Sequence, residues 1–91
     1  MMKLEYDKLT IYEVEDLHKK LIEYFSKSAT DLTLDLDSIQ KLDMTGIQLL
    51  LSTQKTCKQK LIPFSLINLS DEIKQTLKLA GCDTTLGVSN D

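Results

Sequence analysis

The sequence predicts an α/β fold: a single small domain, residues 1–91, with a mostly parallel or mixed sheet and interleaved helices. Two observations carry that expectation. The hydrophobic period switches repeatedly between the two-residue repeat of a strand and the 3.6-residue repeat of a helix. The order of those switches is strand, helix, strand, helix, strand, helix, with room for about four strands and about three helices if a last strand is counted. Right-handed crossovers between such strands would make them mostly parallel.

Each element has its own signal. Leu4 to Ile11 reads as a short first strand with Leu4, Tyr6 and Leu9 turned inward. From Glu13 the spacing changes. Val14, Leu17, Leu21 and Phe25 fall on one face of an amphipathic helix, widened by Ile22 and Tyr24. Acidic residues open that helix and Lys27 closes it, as the helix dipole prefers. Asp31 to Leu36, "DLTLDL", alternates Leu32, Leu34 and Leu36 with Thr33 and Asp35, the repeat of a strand.

A second helix is expected to begin between Asp43 and Gly46 and to run to about Lys60. Ile47, Leu50, Leu51 and Gln54 share one of its faces, and Lys55, Lys58 and Lys60 gather at its end. Pro63 then starts or edges a strand through "IPFSLINL", because proline cannot donate to a central ladder. Ser70 is a good N-cap for a third helix, with Asp71 and Glu72 in its first turn. Ile73, Leu77 and Ala80 form that helix's apolar stripe, and Gly81 suits its left-handed closure. One more short strand could lie around Thr84 to Val88.

Composition narrows the function. A formal net charge of −3 without a basic stripe argues against a nucleic-acid partner. No apolar run approaches the roughly 20 residues needed to span a bilayer, and "MMKLEYDKL" lacks the apolar core of a signal peptide. The cytoplasm is therefore the expected location, without direct membrane insertion. Cys57 and Cys82 are far apart and outside any CxxC pattern, so they read as free thiols.

Catalytic sets are missing from the pattern. His18 is the single histidine and lies beside the apolar stripe of the first helix. There is no GxSxG, no GxGxxG and no GxxxxGK[ST], hence no nucleophile elbow and no glycine-rich phosphate cradle. Asp31, Asp35, Asp37 and Asp43 match no calcium loop and read as solvated strand, loop and cap residues. No enzyme activity, cofactor or metal is expected.

Attention falls on "KLDMTGIQLLL", Lys41 to Leu51. Asp43 or Thr45 can cap the first free N–H groups of the second helix, and Gly46 lets the chain turn closely onto the sheet. The same geometry presents N–H donors and a partial positive charge to an anion, and a hydroxyl there would suit a phosphorylation switch. Periodicity leaves both readings open.

With those residues in view, the chain resembles the STAS family, named for sulphate transporters and anti-sigma-factor antagonists. "LTLDLDSIQKLDMTGIQLLL" is similar to that family's strand, loop, Asp-(Ser/Thr)-(Ser/Thr/Ala)-Gly motif and leucine-rich helix. "PFSLINLSDEIKQTLKLAG" and "LTIYEVEDLHKKLIEYF" resemble the flanking segments, so the likeness runs from about Leu4 to Gly87. It implies a small sheet with helices packed mainly on one side and a non-enzymatic, protein-binding role, often under a serine kinase and phosphatase.

The resemblance places the family's phospho-acceptor at Met44, which cannot carry a phosphate; Thr45 stands one position further on, as a possible acceptor. The short N-terminal strand is more similar to STAS proteins of chemotaxis operons or bacterial lipid-transport ABC complexes than to sigma-regulating relatives with a longer hairpin. The expected partner is accordingly a protein: an anti-sigma or serine-kinase component, a chemotaxis component or an ABC-transporter component. The expected contact surface is Asp43, Met44, Thr45, Gly46 and Ile47. A different reading is a sensor that holds a small anion or nucleotide at the helix starts near Thr45 and Ser70.

Overall fold

The computed structural model describes residues 1–88. Its elements run β1 (Met2–Lys3), β2 (Lys8–Leu9), α1 (Val14–Ser26), β3 (Leu32–Asp35), β4 (Lys41–Leu42), α2 (Met44–Gln59), β5 (Phe64–Ile67) and α3 (Asp71–Leu79). Every strand pairing is parallel: β1-β3-β5 form one sheet and β2-β4 a second, two-stranded one.

The alternation in "DLTLDL" orients the main sheet. Leu32 and Leu34 pair with Phe64 and Leu66, and this face joins the core with Leu17, Leu21, Leu50, Ile73 and Leu77. On the other face the Thr33 and Ser65 hydroxyls meet at 3.1 Å in solvent. One face is thus apolar and helix-covered and the other polar, as a half-buried sheet requires. α1 and α2 pack against each other, α2 reaches β5, and α3 packs on β4.

The single first strand expected over Leu4 to Ile11 is corrected to two short ones in different sheets. Leu4 N–H still donates to the Asp35 carbonyl, at 3.0 Å. The chain then leaves the ladder. Tyr6 donates its hydroxyl to Asp16 of α1 at 2.6 Å, and Lys20 sits 5.1 Å from the centre of its ring. Only at Lys8 and Leu9 does the chain pair again, now with β4. The described residues therefore hold five short strands, in line with the expectation of about four.

The last strand, around Thr84 to Val88, does not form. Gly81 (φ 74°) closes α3, with its own N–H on the Lys78 carbonyl and the Cys82 N–H on the Leu77 carbonyl. The chain then winds in turns, Leu86 N–H bonding Cys82 and Val88 N–H bonding Asp83. Leu86 alone is buried from Thr84 to Gly87, so no strand face existed there to bury.

Asp35 is a further correction. It is not part of a solvated face but only 7% exposed. Its Oδ1 accepts from the Asp37 N–H at 2.9 Å and the Asn68 carboxamide at 3.1 Å. Those bonds, the backbone one first, hold its carboxyl below the usual aspartate range. Asn68 adopts φ 58°, a left-handed conformation that Asn tolerates better than most residues. That kink carries the side chain back from the end of β5 onto β3. Ile22, expected to widen the apolar stripe of α1, is instead 56% exposed.

Candidate docking site at the start of helix α2

The site is built where β4 runs directly into α2. Asp43 is the N-cap in extended conformation, and its Oδ1 accepts from Gly46 N–H at 2.9 Å. Its other oxygen, Oδ2, accepts from Ile11 N–H at 3.0 Å. The capping role therefore falls to Asp43 and not to Thr45. One carboxylate satisfies a free helix donor and also ties down the segment between β2 and α1.

Gly46 is buried for a steric reason. A Cβ there would collide with the Leu9 carbonyl oxygen and come within 2.9 Å of Leu42 Cδ1. Its lack of a side chain lets α2 lie directly on the β2-β4 pair. Ile47 is 3% exposed and points into the core.

Met44 and Thr45 face solvent. Met44, the first helical residue, is 57% exposed. Thr45 sits at one end of a shallow cleft of about 410 Å³ between α1 and α2, with Val14, Glu15, His18 and Leu49 among its walls. Of the five residues expected to form the contact surface, two are exposed, one is a half-buried clasp, and Gly46 and Ile47 are buried beneath them.

The Asp43–Ile11 bond adds neighbours that the motif did not single out. Ile11 is 61% exposed and Tyr12 83% exposed. A tight turn presents them: the Thr10 carbonyl accepts from the N–H groups of Glu13 and Val14. The Glu13 carboxylate accepts from both the Thr10 hydroxyl, at 2.6 Å, and the Thr10 N–H, at 2.9 Å. The Thr10 hydroxyl, the larger cause, and its N–H hold the Glu13 carboxyl below the usual glutamate range. The signal was present in sequence, since Ile11 and Tyr12 are large apolar residues outside the α1 stripe. Their proximity to Met44 needed the long-range bond.

Among the described residues no group of three or more His, Cys, Asp or Glu side chains gathers as metal ligands. Among the same residues no helix is long and apolar enough to cross a membrane. Cys57 is buried, which pushes its thiol up from the ordinary cysteine range, and Cys82 is half-buried; both are free.

The site is thus an Asp-capped, glycine-seated helix mouth on an α/β scaffold. The family model described as "Mlab, STAS domain" matches residues 7–88. The chain belongs to this STAS family. STAS domains are generally regulatory or binding modules that act on partner proteins. No protein with curated annotation matches the chain.

Proposed function

We propose that the protein is a non-enzymatic docking module that binds a partner protein through the loop and helix start at Asp43–Ile47. Met44 carries this reading: a large, flexible apolar side chain stands 57% exposed at the first position of α2. Met adapts readily to a facing surface. A phosphate cannot be placed on it, so the contact is constitutive. Asp43 fixes the loop, Met44 and Thr45 meet the partner, and Gly46 and Ile47 support them from below.

The test compares wild type with Met44→Asp in a pull-down from the native host, each followed by mass spectrometry. A carboxylate at the first helical position suits the dipole, so folding survives. Proteins retained by wild type and lost from the variant, with matching circular dichroism spectra, are the expected result. Identical sets of retained proteins would remove Met44 from the interface.

A further inference from the structure

Around the Met44 surface lies a charge arrangement that the docking reading does not use. Lys8 and Lys41 are direct register partners in the parallel β2-β4 pair, so they project from the same face. Both are exposed, while the next pair, Leu9 and Leu42, is buried. Among the described residues the ion pairs are Lys19–Glu15, Lys20–Asp16 and Lys27–Glu23, all on α1, so neither Lys8 nor Lys41 has such a partner.

Two carboxylates of this region are held in place by hydrogen bonds from neutral donors. Glu13, which feels the Lys8 charge, is bound twice by Thr10. Asp43 is bound by Ile11 and Gly46. Lys8 Nζ lies 6.0 Å from the centre of the exposed Tyr12 ring; Ile11, exposed as well, is tied to Asp43, and exposed Met44 follows Asp43 in the chain.

We propose that this surface receives an acidic, apolar segment of a partner protein: a carboxylate seats between Lys8 and Lys41 while neighbouring apolar side chains cover Ile11, Tyr12 and Met44. The inference rests on the docking reading and adds the partner's chemistry to it. A carboxylate there meets two exposed ammonium groups that lack an ion-pair partner among the described residues. A lipid surface or nucleic acid fits less well, because the chain carries a net charge of −3 and these two lysines form a pair, not a basic stripe.

The test is selection of a displayed library of random peptides against the whole protein, followed by affinity measurements on variants. Enriched peptides are expected to carry Asp or Glu next to apolar residues. The double variant Lys8→Gln/Lys41→Gln should weaken them by about tenfold or more. Its melting temperature should stay level, since neither lysine has an ion-pair partner to lose. A merely structural role for the lysines would lower both. Lys74→Gln, on α3, should leave binding unchanged, and added salt should weaken only the wild-type interaction.

Enriched peptides without acidic residues, or equal binding to the double variant, overturn the acidic-partner inference. If such peptides are still lost from Met44→Asp, the docking reading stands without it. If no peptide is enriched and the lysine-dependent ligand proves to be anionic phosphatidylglycerol vesicles or a second copy of this chain, the inference is likewise overturned. An empty selection with neither of these also overturns it, leaving the docking reading to its own pull-down.

Discussion

Gly46 is seated against Leu9: a Cβ at Gly46 would overlap the Leu9 carbonyl oxygen. That oxygen also accepts the Asp43 N–H, at 3.3 Å, so it cannot turn aside without loss. Alanine is the best helix former and would favour α2 by about 1 kcal/mol over glycine in an open helix. Here the clash wins, because backbone rather than a flexible side chain stands in the way. Gly46→Ala is expected to lose about 1–3 kcal/mol in urea denaturation, the usual range for overpacking. An unchanged or raised midpoint would show that β2 can retreat from α2.

Asp43 uses its two oxygens on two different N–H groups, Gly46 and Ile11. At an ordinary N-cap, Asn is about as good as Asp. At this one Asn brings a single acceptor, and its NH₂ would face one of the two donors. Asp43→Asn is therefore expected to cost about 0.5–1.5 kcal/mol, the net worth of one hydrogen bond that is not fully buried. Faster amide exchange at Ile11 or Gly46 would identify which bond is given up. Stability equal to wild type would reduce Asp43 to a simple cap.

Asp35 should mark the acid limb of stability. Its carboxyl is held below the usual range by the Asp37 N–H first and the Asn68 carboxamide second. A group whose folded pKa is depressed lends stability above its unfolded value, about 4, and that share is lost as pH falls through the folded pKa. Asn68→Gly keeps the left-handed backbone accessible while deleting the carboxamide. The drop in melting temperature from neutral pH to about pH 3 should be smaller in this variant than in wild type. An equal drop would assign the acid sensitivity to Asp16 and Glu13, whose carboxyls are also held low.

How much of this was legible depends on the range of the interaction responsible. The β3 alternation, the α1 and α3 stripes and the Ser70 cap (its Oγ accepting from Ile73 N–H at 3.1 Å) are written within a few residues and were readable. The pairing of Lys8–Leu9 with Lys41–Leu42 is two residues long and joins segments far apart in sequence, so no local pattern announces it. Burial of Asp35 had the same cause. Its parity puts it on the polar face, and Asn68, just past its register partner Ile67 on β5, reaches across to it. At the site, Asp43 and Gly46 stood out by type, but the partners that explain them, Ile11 and Leu9, lie on the other side of α1 in sequence.

Thr45 tests whether the constitutive contact is in fact a switch. It is exposed at the second helical position, and the first turn of α2 contains no acidic residue to complement the dipole. A negative group there is worth about 0.3–1 kcal/mol, and Glu15 across the cleft subtracts from it. Thr45→Glu is thus expected to leave the melting temperature level or slightly higher. Its effect on docking should be a loss, because a charge enters the mouth of the cleft next to Met44. Incubation of wild type with host lysate and ATP, followed by intact mass, should return the unmodified protein. A phosphate mapped to Thr45 would replace the constitutive dock with a switch moved one residue along the helix, about 100° around its axis from Met44.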